Sequence, residues 1–361
     1  MIVKLSDFLA AMKYAWRAVS PGDFVSNFRF ISFESFAGLK ILRLRAFNGT
    51  LGVEVDVPTR NPDAFKPFVV DADRLMRYLQ SFDAADSRAV ELTLEKSRCV
   101  FSFQKAGKIA LTPAQLKTPF WKAPDEQGVD WCLTMDKKFR ESCKLVLSIA
   151  GLDTARLVTQ GIFMEGSRLH VTSGAAIGES TAKAKFSKPM AMVYDFVRIL
   201  VEIGTDIEVG TGKNFVVAKT GTVKFVQSLF RCPAPDFDSM LKNYRKPQAA
   251  VTVNLKEFVE KFRRIGNMTD QQNRGVKLVF KAGMLRFGFE DSEVHVREAI
   301  TYKGNYDGEI LLNFAYIKGY LDELVARPLK QLQLGFIGAG KGLVFRIAEP
   351  FVLVLLPMVK L

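Results

Sequence analysis

The residue types that most often carry catalysis are scarce and scattered in this chain. The two histidines, His170 and His295, lie in strand-like stretches without the Asp/Ser or Cys partners of a catalytic triad. The four cysteines are Cys99, Cys132, Cys143 and Cys232. They form no CxxC pair and stand at no metal-ligand spacing to a histidine, so we expect reduced, mostly buried thiols in a cytosolic protein. We predict no catalytic residue, no metal site and no cofactor.

One glycine-rich segment matches the spacing of a phosphate-binding loop. Residues 335–341 supply the glycines and the lysine, but Gly342 stands where that loop needs a hydroxyl group for magnesium. The segment also leads into an apolar, strand-like stretch at 343–347, whereas a phosphate-binding loop leads into a helix N-terminus. We interpret it as a hairpin, with 210–213 as the equivalent hairpin earlier in the chain. A nucleotide-using enzyme stays open as an alternative, and ATP binding that depends on Lys341 would favour it.

Positive charge is the strongest chemical signal of the sequence. The formal net charge is +13 over 361 residues, which suggests a polyanionic partner, with nucleic acid as the first candidate. Many of the cations fall on the polar faces of predicted helices, where they could contact a phosphate backbone without reading bases. These candidate DNA-binding residues are Lys13, Arg17, Arg74, Arg77, Lys137, Arg140, Lys144, Arg198, Lys256, Lys261, Arg263, Arg264 and Lys318.

A short helical pattern that occurs three times positions these cations. Residues 75–79, 196–200 and 317–321 carry it, and their last residues, Leu79, Leu200 and Leu321, are spaced by 121 positions. Each copy follows an apolar, strand-like pair of residues. One copy alone would indicate only a core helix, but three copies at one interval indicate an internal repeat.

Each repeat contains a second, earlier helix and two groups of strands. Phe8, Phe139 and Phe258 mark equivalent points on the apolar faces of the earlier helices. Alternating apolar and polar residues after each helix predict strands. The sequence therefore predicts an α+β fold of three repeated domains, each with two helices packed on antiparallel sheet.

The domain limits follow from the interval and from two proline clusters. Residues 112–128 and 232–247 each contain three prolines outside periodic segments, as expected of joints between domains. We place the domains at 1–125, 126–247 and 248–361. Apolar content of 48% with 25% charged residues is typical of a globular protein, and the longest apolar run is too short to span a bilayer.

The repeats, the basic helices and the C-terminal tail together resemble the bacterial DNA polymerase III beta subunit, the DNA sliding clamp. The similarity is clearest in the last third. It is carried by residues 274–278, 302–304, 313–317 and 354–361, together with Pro235, Asp236 and Phe237 at the second joint. The first third is more divergent, and we take a phage or plasmid-borne member as a hypothesis.

The resemblance implies a function and a set of partners. It implies a non-enzymatic processivity factor: a ring of two chains joined head to tail that encircles duplex DNA without sequence preference. Such a clamp tethers DNA polymerase and the clamp loader through short linear peptides, in the cytoplasm of a bacterial or phage-infected bacterial cell and away from membranes. The alternative is a basic accessory protein that binds DNA side-on, without ring topology.

The resemblance also implies two sites. The family's peptide pocket, carried onto this chain, would be formed by Thr172, Gly174, Ile177, Pro235, Met240, Leu355, Leu356, Pro357 and Met358. The dimer interface would include Ile109, Leu111, Ile265 and Met268.

Two features depart from the family. Clamps usually carry His-Arg after the Thr-x-Gly of the pocket, whereas Ala175 and Ala176 follow here. Clamps also tend to be acidic overall with a positive bore, whereas this chain is strongly basic.

Overall fold

The structure is a computed structural model that describes residues 1–22, 27–61, 65–95, 97–151, 153, 155–269, 274–290, 295–338, 341–347 and 351–355. For residues 182–185, 187 and 351 only the backbone is described. The chain divides into two compact units, one of Met1–Cys132 with Asp206–Leu229 and one of Leu133–Thr205 with Phe230–Leu361. The strands that follow the middle repeat's second helix therefore belong to the first unit.

Seven helices and twenty-two strands make up the described chain. The helices are α1 (Leu5–Trp16), α2 (Ala72–Leu79), α3 (Lys137–Leu147), α4 (Tyr194–Ile203), α5 (Phe237–Leu241), α6 (Leu255–Gly266) and α7 (Phe314–Val325). The strands are β1 (Ile2–Lys4), β2 (Phe30–Phe36), β3 (Ile41–Phe47), β4 (Leu51–Pro58), β5 (Phe68–Asp71), β6 (Ala89–Glu95), β7 (Arg98–Phe103), β8 (Gly107–Leu111), β9 (Asp130–Met135), β10 (Gly161–Thr172), β11 (Ala176–Val193), β12 (Ile207–Thr211), β13 (Phe215–Thr220), β14 (Val223–Ser228), β15 (Ala249–Asn254), β16 (Gly275–Lys281), β17 (Met284–Glu290), β18 (His295–Gly304), β19 (Gly308–Asn313), β20 (Gln331–Phe336), β21 (Leu343–Arg346) and β22 (Phe351–Leu355).

The first unit packs α1 and α2 on antiparallel sheet. One sheet has the strand order β1-β6-β7-β8, and an eight-stranded sheet has the order β5-β2-β3-β4-β14-β13-β12-β9. The core is aromatic: the Phe8 ring of α1 lies 6.3 Å from Phe33 and 5.9 Å from Phe101, measured between centroids. All three rings are fully buried, so α1 closes the space between the two sheets.

The second unit contains the other five helices and a ten-stranded sheet of order β10-β11-β22-β21-β20-β15-β18-β17-β16-β19. Its largest core residues include Phe258, Phe262, Phe287 and Phe345, and the Phe258 ring lies 5.4 Å from Phe287. The strand β11 pairs with β22, so the sheet continues from the strands of the middle repeat into those of the last.

The three predicted repeats are present, and the α+β fold is confirmed. The helices α2, α4 and α7 carry the repeated pattern, and each follows a strand directly. The earlier helices α1, α3 and α6 pack against α2, α4 and α7 respectively. The starts are fixed locally, because the N-cap side chains of Asp71, Asp136 and Asn313 accept backbone N–H bonds from the first turns of α2, α3 and α7.

The glycine-rich segment at 335–342 connects two strands, as predicted. It leaves β20 and enters β21, which pairs with β20 in antiparallel register; Ala339 and Gly340 lie outside the described residues. A Cβ atom at Gly342 would stand 2.7 Å from the Leu355 carbonyl oxygen, so close packing against β22 demands glycine there. Residues 210–213 lie in the β12–β13 hairpin, also as predicted.

The cysteines are free thiols. Cys99 and Cys143 are buried, whereas Cys132 and Cys232 are half-buried. Burial raises the pKa of Cys99 to about 11 and raises that of Cys143 further. Both buried thiols are therefore protonated at neutral pH and serve as packing residues.

Candidate functional site: an apolar surface in the second unit and the basic helices

An apolar cluster in the second unit underlies the predicted peptide pocket. Its buried members are Phe163, Ile177, Phe237, Leu241, Val344 and Val354. They come from β10, β11, α5, β21 and β22, so five elements from two repeats meet in one cluster. Ile177 pairs with Thr172 on one side and with Val354 on the other. Leu355 pairs with Ala176 one position along. The strand register thus brings Thr172, Ile177 and Leu355 into adjacent strands.

The short helix α5 supplies the outer part of this region. Asp236 caps it by accepting a hydrogen bond of 2.9 Å from the Ser239 backbone N–H. The turn directs Phe237 and Leu241 into the cluster and leaves Met240 outside, with 44% of its surface exposed. An exposed, flexible methionine above a buried apolar cluster is suited to contact with another apolar group.

The turn from β10 to β11 is fixed by its own hydrogen bonds. The Thr172 hydroxyl accepts from the Gly174 N–H and donates to the Ala176 carbonyl, both at 3.1 Å. Gly174 has a φ of +83°, a left-handed conformation that favours glycine. Leu356, Pro357 and Met358 of the predicted pocket lie outside the described residues.

An ion network borders the cluster, and sequence reasoning missed it. Glu179 lies between His170, whose Nε2 is 2.9 Å from its carboxylate, and Arg245, whose Nε donates to it at 3.2 Å. Arg245 and Arg168 both donate to the Asp238 carboxylate at 2.6 Å. The His170 ring also stacks on Phe237 at 4.7 Å between centroids. This network holds α5 against β10 and β11.

The chemistry of the carboxylate in this network is set by its partners. Burial alone would raise the pKa of Glu179, but the hydrogen bonds from His170 and Arg245 lower it to about 2. Glu179 is therefore ionised at neutral pH. Sequence alone offered no signal for the network, because Arg245 and Glu179 are 66 residues apart and the pairing follows from the fold.

Twelve of the thirteen predicted DNA-binding cations fall into three groups. Lys13, Arg74, Lys137, Lys256 and Lys318 are exposed and have no ion pair within the described part of the chain. Six others pair with carboxylates, mostly on their own or a neighbouring helix: Arg77, Lys144, Arg198, Lys261, Arg263 and Arg264. Arg17 is half-buried at the end of α1. The first group is the best placed for direct phosphate contact, because its ammonium and guanidinium groups are unoccupied.

The structure contradicts the predicted role of Arg140. Its side chain is only 7% exposed, and its guanidinium donates to the carbonyl oxygens of Met135 (2.9 Å), Gly204 (3.1 Å) and Thr205. These bonds satisfy carbonyls at the C-terminal end of α4, where a cation also offsets the helix dipole. The inclusion of Arg140 among the DNA-binding residues is therefore wrong, since its donors hold α4 in place.

The residues predicted to form the dimer interface differ in their exposure to solvent. Ile109 is half-buried and Leu111 is buried on β8, the last strand in the order of its four-stranded sheet. Met268 is 46% exposed just beyond α6. Ile265 is fully buried in the core of the second unit, so the prediction that it faces a second chain is wrong. Its side chain continues the apolar face of α6.

Two further observations bear on the chemistry of the chain. Within the described residues, no group of three or more His, Cys, Asp or Glu side chains is arranged to hold a metal ion. No described helix combines the length and the apolar character needed to cross a membrane.

The fold matches known structures over the full length of the chain. The beta subunit of DNA polymerase III from Pseudomonas aeruginosa superposes with a TM-score of 0.86 at 15% identity, covering 99% of each chain. The beta subunit from Thermotoga maritima gives 0.87 at 16%, and a sliding clamp from Bartonella birtlesii bound to griselimycin gives 0.88 at 16%; both matches cover 100% of this chain and 99% of the other. No protein-family model and no curated protein matches the sequence. The chain therefore has the fold of bacterial sliding clamps, at an identity too low to carry residue roles across.

Proposed function

We propose that the protein is a DNA sliding clamp, a processivity factor without catalytic activity. The observation that carries the proposal is the agreement of the whole chain, including all three helix pairs, with the fold of DNA polymerase III beta subunits. Two chains would join head to tail into a ring around duplex DNA, in the cytoplasm of a bacterial or phage-infected cell. The domains would follow the repeats, at 1–125, 126–247 and 248–361.

The exposed helical cations support a sliding contact. The five exposed cations that have no ion pair among the described residues come from five helices, α1, α2, α3, α6 and α7, and from all three repeats. Lysine and arginine that contact only phosphates hold the duplex without sequence preference, so movement along the DNA costs little. A bidentate contact to base edges would stall such movement.

The apolar surface around Met240 supports peptide capture. It combines a buried cluster, an exposed methionine and a turn fixed by Thr172 and Gly174. We infer that short linear peptides of a polymerase and a clamp loader bind here through apolar side chains. The similar clamp from Bartonella birtlesii is bound to griselimycin, so this ligand is a probe for the surface proposed here.

The decisive experiment compares retention on circular and linear duplex DNA. The protein is loaded with a clamp loader competent for it, and the complexes are then washed at raised salt. Salt weakens phosphate contacts but leaves topological linkage intact. Retention on circles with loss from linear DNA is expected of a sliding ring. Equal, salt-sensitive loss from both would refute the ring and favour the side-on DNA-binding protein.

A further inference from the structure

One face of the last repeat's sheet is exposed and basic. Along β16, β17 and β18 the residues alternate between buried and exposed. Leu278, Leu285 and Phe287 are buried on the side of α6, where the Phe287 ring contacts Phe258. The residues between them point away from the helices.

Five cations lie on that face, which we call the basic sheet face: Lys277, Lys281, Arg286, Arg297 and Lys303. All five are exposed. The register sets their arrangement, because Lys277 and Arg297 stand on either side of Gly288, and Arg286 stands between Val279 and Ala299. Neighbouring strands are about 4.8 Å apart and alternate residues about 7 Å apart, so the cations form a grid across the three strands.

Most of these cations have no carboxylate partner among the residues that the structure describes. Lys277 pairs with Glu309 at 2.8 Å, and Glu290 lies 3.4 Å from His295 at the end of the face. Within the described residues, the other four cations (Lys281, Arg286, Arg297 and Lys303) have no carboxylate at ion-pair distance. Like charges this close repel one another unless an anion lies over them.

On the equivalent face of the first repeat, the strand arginines are paired with carboxylates. There Arg43 stands between Glu34 and Asp56 in the register that Arg286 occupies between Val279 and Ala299. The Arg43 guanidinium donates to Asp56 at 2.6 and 2.8 Å. Arg45 in turn donates to Glu54 at 2.7 Å, whereas Arg297 occupies the place of Glu54 in the last repeat. In the last repeat, Val279 and Ala299 therefore stand where the first repeat has Glu34 and Asp56, and Arg297 stands in place of a carboxylate.

We propose that the basic sheet face binds the sugar–phosphate backbone of duplex DNA, as a contact separate from the helices. Residues 284–288 of β17 pair with strands on both sides, so their backbone N–H and C=O groups are used in the ladder and recognition there rests on side-chain charge. Arginine suits phosphate because its planar guanidinium donates two parallel hydrogen bonds. No Phe, Tyr or Trp side chain lies among the exposed residues of these three strands, whereas single-stranded nucleic acid is bound mainly by stacking on such rings. The grid therefore favours a duplex.

The test measures binding to a short fluorescent duplex blocked at both ends with streptavidin. Blocked ends prevent the duplex from threading through a closed ring, so external contacts dominate the anisotropy signal. Arg286→Gln/Arg297→Gln is expected to weaken binding roughly tenfold at low salt and to lower the salt slope by about 2, at about 0.9 for each lost phosphate contact. Lys117→Gln/Lys213→Gln is the matched control, since it removes two exposed lysines with the same change in net charge. It should change binding by less than about twofold.

A second variant keeps the cations and restores the carboxylates of the first repeat. Val279→Glu/Ala299→Asp should neutralise Arg286 in place and weaken duplex binding as the arginine variant does. Sedimentation should be unchanged and thermal unfolding should change little, because Ala299 is exposed and Val279 is half-buried on the face away from α6.

Three outcomes would overturn the proposal. Equal losses in the arginine variant and the lysine control would assign binding to net charge. Unchanged binding in both face variants would exclude the face. Loss of binding to poly-glutamate or to anionic phosphatidylserine vesicles, with duplex binding intact, would assign the face to an acidic protein or a membrane.

Discussion

Two exposed methionines distinguish the two proposed interaction surfaces. Met240 and Met268 have similar exposure, 44% and 46%, but Met240 lies on α5 above the apolar cluster and Met268 lies beyond α6. Met240→Ser should weaken griselimycin binding about fivefold, because roughly 1 kcal/mol of apolar contact is lost. Met268→Ser should weaken self-association instead. Calorimetry and sedimentation on both variants check this, and a swapped or shared effect would contradict the assignment.

Glu179 gives the second unit a defined acid sensitivity. Its pKa in the folded chain, about 2, lies below the ordinary value of 4.5. Its stabilisation is therefore complete above the unfolded pKa and is lost as the pH falls through the folded pKa, between about 4.5 and 2. Glu179→Gln should lower the free energy of unfolding by about 2 to 3 kcal/mol at pH 7 and reduce the loss at acid pH.

The control for this prediction is another Glu–His pair. Glu290 and His295 are 3.4 Å apart, but their side chains are 70% and 48% exposed. Exposed pairs contribute little, so Glu290→Gln should change stability by less than about 1 kcal/mol. Denaturant unfolding at pH 7, 4 and 3 measures both variants. Equal effects would mean that the ion network around Glu179 has no special role.

At the level of elements, one glycine anchors the segment between the first two repeats. A Cβ atom at Gly52 in β4 would stand 2.2 Å from the Trp121 ring, which stacks on Phe47 at 5.4 Å with 5° between planes. Gly52→Ala should displace the indole ring and loosen the packing of residues 112–128. We expect faster proteolysis there and a red-shifted tryptophan emission. Gly38→Ala, where no atom lies within 4 Å of the added methyl group, should leave both unchanged.

Periodicity predicted the elements well and some side-chain roles poorly. The 121-residue interval located α2, α4 and α7 because a repeated core needs the same apolar residues at the same places. Arg140 was misassigned because a helical pattern gives the direction of a long polar side chain but not the carbonyls that it reaches. The same limit applies to Ile265, whose burial depends on the sheets that α6 covers.

The sequence alone also does not show which strand arginines are paired with carboxylates and which are not. Arg43 and Arg286 both look like exposed strand arginines, and only the strand register reveals Glu34 and Asp56 beside the first. Register depends on long-range pairing, which a single sequence does not specify.

For the whole molecule, the charge predicts opposite salt effects on two associations. Each chain carries +13, so two copies repel one another until salt screens them. Raising the salt should tighten the proposed dimer by about three- to tenfold while it weakens contact with DNA. Sedimentation at several salt concentrations measures the first effect. A dimer that weakens with salt would instead indicate an interface held by complementary ion pairs.

The pairing of β14 with β4 and of β22 with β11 has a consequence for inheritance. Two strands of the middle repeat pair with strands of its neighbours: β14 pairs with β4 of the first repeat, and β11 pairs with β22 of the last. We call each of these two pairings a seam. At one seam Lys224 stands opposite Glu54, and at the other Ile177 stands opposite Val354. A middle repeat acquired by recombination would have to match both seams at once. The repeats of this gene are therefore expected to diverge as a linked set, with exchange between lineages confined to whole chains.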